Sequence, residues 1–240
     1  MKGVATVKTP SKSTRMRVPA NWTFESAEIV DHFDEHVRET LPWYDLATNG
    51  VVHIARHYVT EGGTVVDVGA STGNIYNALR VGLAGRSFSV IGVEKSEEMV
   101  RRYAERNGSY ARIWHADACA VEWENKDKFD VAIFFLTVMF VEPSRRRVLL
   151  ARVFDAIKPG GAMIVVDRTV AEAGYPATVL WRLALAGKVA AGADPGDVVA
   201  KELSLAGAQR PIDPAILPSG AIEWMRFGDF AGWLIEKKEA

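Results

Sequence analysis

Thr64 to Gly73 reads TVVDVGASTG, and the fold follows from how this stretch is read. Thr64–Val68 is a continuous apolar strand carrying an acid, Asp67, near its end. Such runs belong to parallel sheets covered on both faces. Gly69 and Gly73 bracket a short turn, and a helix, Asn74–Val81, follows. A strand, a glycine turn and a helix opening make a cradle for a small polar ligand. Glycine lets the backbone come close, and the helix-opening amides point at what lies there.

Outward from the cradle, strands and helices alternate. Ser87–Val93 is a second strand ending at Glu94, and Ser96–Asn107 a helix with Ser96 as N-cap and Met99, Val100 and Tyr103 facing inward. Ala111–His115 and Asp130–Leu136 are the third and fourth strands. Pro143–Ile157 is a helix with Val148, Leu149, Val153 and Phe154 as its buried stripe and a KPGG stop, and Ala162–Asp167 is the fifth strand. This rhythm predicts a doubly wound parallel sheet. Before the cradle, Ile29, Phe33 and Val37 recur at helical spacing behind Ser26 as N-cap, flanked by Trp22, Phe24, Trp43 and Tyr44. With a second helix over Asn49–Tyr58, residues 21–60 read as a helical flap. After Arg168 the chain turns rich in Ala, Gly and Pro. Residues 170–218, with helices over Thr178–Ala190 and Asp197–Leu205, read as a substrate-side insertion or a homodimer contact. Ile222–Phe227 and Ala231–Glu236 flank Gly228-Asp229 as a terminal hairpin.

The 240 residues suit one domain, 21–240, behind a basic flexible tail at 1–20. Met1–Arg17 has Lys and Arg, no acid, and Ser, Thr and Pro filler, which reads as a solvated segment, with a nucleic-acid arm as the sharper alternative. A net charge of -1 gives no global pull toward nucleic acid or anionic lipid. The single cysteine, Cys119, excludes an internal disulfide and a Cys-based zinc cluster. No apolar run reaches the roughly 18 residues of a membrane span, and the N-terminus lacks the apolar stretch of a signal peptide. The expected location is cytoplasmic, with no membrane partner. His32 and His36 sit one turn apart as metal ligands do, but no further set of metal spacing joins them. They read as a solvated face, and no metal is expected.

Three features fall at the C-terminal ends of successive strands, where ligands bind in open α/β sheets. Asp67-Val68-Gly69-Ala70-Ser71-Thr72-Gly73 can meet an amino-acid zwitterion through the Asp67 region and the helix-opening amides. Glu94 can accept both hydroxyls of a ribose. Asp117, or the neighbouring Ala118 amide, can meet an adenine edge. Each feature alone is weak, and their occurrence in order is far more specific. The rival is NAD, whose fingerprint is G-x-G-x-x-G. Gly69-Ala70-Ser71-Thr72-Gly73 lacks the middle glycine that admits a pyrophosphate, and G-x-x-x-x-G-K-[ST] is absent. S-adenosyl-L-methionine (SAM) has the amino acid, ribose and adenine without a phosphate.

The sequence resembles the class I SAM-dependent methyltransferases. Within them it is most similar to the carboxy-SAM synthase-like group that acts in tRNA wobble-uridine modification. The likeness is carried by Phe33–Tyr44 (FDEHVRETLPWY), Val65–Asn74, Val90–Val100, Val141–Arg168 and the closing WMRFGDFAGWLIEKK. It implies a Rossmann-like seven-stranded methyltransferase fold, a mostly parallel sheet with a C-terminal antiparallel hairpin. It also implies a cofactor site lined by Tyr44, Gly69, Glu94, Lys95 and Asp117. Asp67, Ala70, Ser71, Gly73, Ala118 and Phe135 complete the expected lining. Two departures stand out. The synthases have an asparagine in the fourth strand, where this chain has Phe134-Phe135-Leu136. They grip the carboxylate of their modified cofactor with an arginine after the fifth strand, whereas Val199–Ala206 offers Lys201 and Glu202. A negative residue there would repel a carboxylate, so plain SAM is expected. Ala208–Pro218 replaces the usual helix before the hairpin, which implies a remodelled substrate side.

Methyl transfer needs the acceptor oriented and desolvated, and a base only if the acceptor loses a proton. Tyr44, Glu142, Asp167, Arg168 and Tyr175 stand near the expected mouth, yet each reads better as structural, so no catalytic residue is named. The fourth strand runs on as Phe-Phe-Leu-Thr-Val, unlike DNA amino-methyltransferases, and Cys119 lacks the Pro-Cys setting of cytosine C5 attack. The expected activity is transfer of the SAM methyl to an unidentified acceptor, a small molecule or an RNA base, leaving S-adenosyl-L-homocysteine (SAH). Aromatics and the basic tail leave RNA open, while the charge balance does not favour it. The alternatives are a carboxy-SAM synthase-like enzyme using a modified SAM, and a non-catalytic SAM-binding scaffold or sensor.

Overall fold

The computed structural model describes residues 20, 22–108, 111–126, 128–170 and 173–239. The basic tail, but for its last residue, lies outside them. Seven strands form one sheet: β1 (Gly63–Val68), β2 (Phe88–Glu94), β3 (Arg112–His115), β4 (Phe129–Phe135), β5 (Ile157–Arg168), β6 (Ile222–Phe227) and β7 (Phe230–Glu236), in the order β3-β2-β1-β4-β5-β7-β6. The first five run parallel. β7 returns antiparallel between β5 and β6. Strand order therefore reverses beside β1, which has β2 on one side and β4 on the other. Ligand sites form at such a reversal because the flanking loops diverge there.

The central strands are apolar on both faces because helices cover both. Val65, Val131, Ile133, Ile164 and Val166 pack into one cluster with α2 (Tyr44–Tyr58) and α3 (Asn74–Gly82). Val66, Val68, Ala132, Phe134, Met163 and Val165 point the other way, toward α5 (Pro143–Asp155). Odd and even positions of each strand thus serve separate cores, as a two-residue pleat requires.

Several boundaries move from the sequence reading, each for a local reason. α2 begins at Tyr44 instead of Asn49. Trp43 is already near helical backbone, and Thr48 Oγ1 donates to the Tyr44 carbonyl at 2.9 Å. KPGG stops α5 but also opens β5, whose first residues pair with the start of β4 across a bulge. α1 (Ala27–Thr40) starts where Ser26 adopts extended N-cap backbone, yet the Ser26 side chain makes no cap bond. Ser96 does cap α4 (Glu97–Asn107), accepting from the Met99 amide at 3.2 Å. α6 (Tyr175–Ala190) and α7 (Pro195–Ser204) fill most of the segment after β5. No described helix is long and apolar enough to cross a membrane.

Candidate functional site

A cavity of about 1550 Å³ opens over the C-terminal ends of β1, β2 and β4. It is lined by Tyr44, Asp67, Gly69, Ala70, Ser71, Glu94, Lys95, Asp117, Ala118 and Phe135. Ten of the eleven expected residues, scattered from position 44 to 135, thus meet around one space.

The cradle is held in shape by its own backbone. Glu94 Oε2 accepts from the Ser71 amide at 2.9 Å, and Oε1 accepts from the Lys95 and Ser96 amides at 2.8 and 3.0 Å. One carboxylate thereby ties the β1 turn to the β2 turn. Both lone pairs of Oε1 are used in this way, and Oε2 keeps capacity for one outside donor. Gly69 has φ 78, and a Cβ there would run into the Thr137 side chain, whose Oγ1 donates to the Val68 carbonyl at 2.9 Å. The glycine is therefore demanded by the loop after β4. Ser71 (φ 51) and Leu136 (φ 57) are the only described non-glycine residues with positive φ, and both line the cavity. Such backbone costs of order 1–3 kcal/mol and gathers at ligand sites.

Asp67 is 1% exposed, and its Oδ2 has no hydrogen-bond partner. Burial, with a smaller push from Glu94, raises its carboxyl to about 7. A buried oxygen without a partner is costly, and an ammonium brought by a ligand would satisfy it. Tyr44 is buried beside it, its ring edge-on to Phe135 at 5.2 Å.

Gly73 and several of the other residues singled out in the sequence are engaged differently from expectation. Gly73 does not line the cavity. Its left-handed backbone starts α3 with Tyr103 and Asn107 of α4 packed on it, so its role is packing. The Asp117 carboxylate lines the cavity but is occupied locally, accepting from the Cys119 amide at 2.8 Å and pairing with Arg145 at 3.2 Å. Asp167 is fully buried outside the lining. It accepts from the Val138, Met139 and Arg168 amides at 2.7, 3.3 and 2.8 Å and so pins the loop after β4. Burial nonetheless raises it to about 7. Tyr175 is 72% exposed and also outside the lining. His36 is not on a solvated face. It stacks 5.6 Å from Trp22, contacts Lys201, and is lowered to about 3 by burial and then by Lys201.

Glu202 does not act as the repelling charge expected from its sequence position. It is paired with Arg168 at 3.0 Å and Lys188 at 2.9 Å, which hold its carboxyl low against the opposing effect of burial. Sequence reasoning also missed Asp34. Its Oδ1 accepts from Thr72 Oγ1 at 2.5 Å and Asn74 Nδ2 at 2.7 Å, and Arg106 pairs with its other oxygen. α1 is clasped to the glycine turn through this residue. The signal was present in FDEHVRETLPWY, but nothing local in that string says which polar residue turns inward. Among the described residues no group of three or more His, Cys, Asp or Glu is placed to hold a metal ion.

Residues 65–161 match the family model described as a methyltransferase domain. The carboxy-S-adenosyl-L-methionine synthase of Shewanella piezotolerans is 26% identical over 211 residues, covering 86% of this chain and 85% of that protein. An O-methyltransferase family protein from Burkholderia thailandensis superposes with a TM-score of 0.58 at 14% identity, over 90% of this chain and 61% of that one. The DhpI–SAH complex gives 0.56 at 15% identity, over 88% and 94%. At these identities the two structures speak for the fold. The chain thus carries a methyltransferase domain over residues 65–161, which spans the cradle and most of the parallel sheet, and it is similar to the SAM-dependent methyltransferases.

Proposed function

We propose that this protein transfers the methyl group of SAM to a small-molecule acceptor, leaving SAH. The observation that carries the reading is Asp67 Oδ2, a buried acceptor without a partner at the floor of the cradle. The α-ammonium of SAM supplies the missing donor there, Glu94 Oε2 takes a ribose hydroxyl, and the Asp117–Ala118 turn flanks the adenine. SAM contributes an electrophilic methyl on a sulfonium. The chain orients it and keeps water out, with Tyr44, Phe135 and Leu136 as the apolar wall.

A small acceptor is favoured over RNA by the charge around the mouth. Among the described lining residues that are exposed, Glu25, Glu35, Glu39, Glu142, Asp194 and Asp197 are acidic, and Lys95 and Arg210 are basic. An acidic rim repels a phosphate backbone. The second reading, use of a carboxylated SAM, gains from the neutralised Glu202 beside Lys201. A bound cofactor heavier by a carboxylate would establish it. The homodimer expected through 170–218 rests on exposed Val179, Trp181, Val199 and Leu203, and sedimentation as a monomer would remove it.

The test is transfer of isotope-labelled methyl from SAM into the small-molecule fraction of a cell extract. The wild-type chain should label that fraction, and Glu94→Gln should lower the labelling by about tenfold or more, the loss of a charge-assisted bond to a ribose. Label confined to RNA would overturn the acceptor class, and no label at all would overturn the activity.

A further inference from the structure

The cavity is larger than one ligand needs. It measures about 1550 Å³, against roughly 300–1,000 Å³ for a pocket holding one small molecule. Beyond the cradle its wall is aromatic. Trp22 meets Phe24 edge-on at 6.1 Å, and Phe24 meets Phe33 at 6.1 Å and Phe140 at 5.0 Å. Ser96 Oγ donates to the Phe24 carbonyl at 2.6 Å, which ties this wall to the loop that carries Glu94. Lys201 ends the row, with its Nζ 4.3 Å from the Trp22 ring centroid and in contact with His36 Nε2.

Lys201 differs from the other cations of this wall. Arg168 is held by Asp229 and Glu202, and Lys188 by Glu202. Lys201 pairs with no carboxylate among the described residues. The groups facing it are His36 from α1, Lys188 from α6 and Glu202 from α7. Burial, and then Lys188, lowers its ammonium to about 7, so the free amine is accessible at neutral pH. His36 is neutral and can accept from the ammonium. The acidic residues nearby, Glu35, Glu39 and Asp197, lie on the exposed rim.

We propose that the aromatic wall and Lys201 form the acceptor subsite, and that the acceptor is a small phenol-class compound whose hydroxyl meets Lys201 Nζ. The proposal rests on the methyltransferase reading above. A ring fits the edge-to-face pattern of Trp22, Phe24 and Phe140. The hydroxyl fits a desolvated amine that lacks an anion, because proton transfer creates an ion pair in a weakly screened site. The acceptor's proton goes to the Lys201 amine, and its oxygen bonds to the methyl carbon. The carbon–sulfur bond breaks with its electron pair left on sulfur. The products are an aryl methyl ether, SAH and a Lys201 ammonium.

The test uses para-nitrophenol, whose anion is coloured, titrated into the full chain saturated with SAH. Saturable binding is expected, with the dye held as its anion below its own pKa. Lys201→Met should weaken binding by about tenfold or more and hold the dye neutral, while Lys201→Arg keeps the coloured form. Unchanged SAH affinity reports that Lys201→Met is folded. No saturable binding, or the anion retained in Lys201→Met, overturns the proposal. So does benzoate binding more tightly than the dye and displacing it, which assigns the subsite to carboxylates. Failure of SAH itself to bind would sink the methyltransferase reading, and this proposal with it.

Discussion

Asp67 is where residue chemistry and function meet most directly. Its carboxyl is raised to about 7 by burial and by Glu94, so it is protonated below that pH and charged above it. Only the charged form pairs with an ammonium. Binding below pH about 7 must therefore expel a proton, and SAH affinity should climb with pH to about 7 and level off above. Asp67→Asn should flatten that climb and bind SAH about tenfold more weakly on the plateau. Titration calorimetry across pH reads both. A climb that persists in Asp67→Asn would assign the titration elsewhere, with buried Asp167 as the next suspect. The acids at the strand ends were legible because a strand followed by a glycine turn says where its last side chains point. Lys201 was legible only as an identity. Its burial against Trp22 and His36 joins positions 22, 36 and 201, and no periodicity couples them.

At the scale of elements, the segment from Trp22 to Thr40 is tied to the rest of the fold at Phe24 by Ser96, at Asp34 by Thr72, Asn74 and Arg106, and at His36 by Lys201. Ser96 holds both ends of one tie, capping α4 through the Met99 amide and donating to the Phe24 carbonyl. Ser96→Ala should cost about 1 kcal/mol for the cap and free residues 22–26 from the cavity wall. Hydrogen exchange should quicken in 22–40 while β1 and β4 stay protected. Uniform quickening across the chain would mean that Ser96 only supports the global fold. Strand and helix order was readable from hydrophobic runs and turn residues. What the runs could not give was the reach of each element. α2 extends back to Tyr44 because Leu41, Pro42 and Trp43 turn the chain just before it, and KPGG continues into β5 because Gly160 donates to the Lys237 carbonyl and Gly161 accepts from the Lys237 amide just beyond β7. Both are tertiary effects that override local signals.

For the whole molecule, the reversal of strand order beside β1 gathers the site. It places the β1 turn, the β2 end and the β4 loop around one opening, so residues far apart in sequence share a cavity. The missing middle glycine between Gly69 and Gly73 had already separated SAM from a dinucleotide. The fold adds the reason: Thr137 fills the space behind Gly69, and Glu94 fixes the turn through the Ser71 amide. The acceptor side was least legible because it is assembled from α1, α6, α7 and the loop after β4, whose relative placement depends on the whole core. Native mass spectrometry of the full chain with SAH, SAM and NAD offered together tests the central claim most directly. One SAM or SAH bound per chain is the expected result. A bound nicotinamide dinucleotide, or a chain that takes up none of the three, would contradict it.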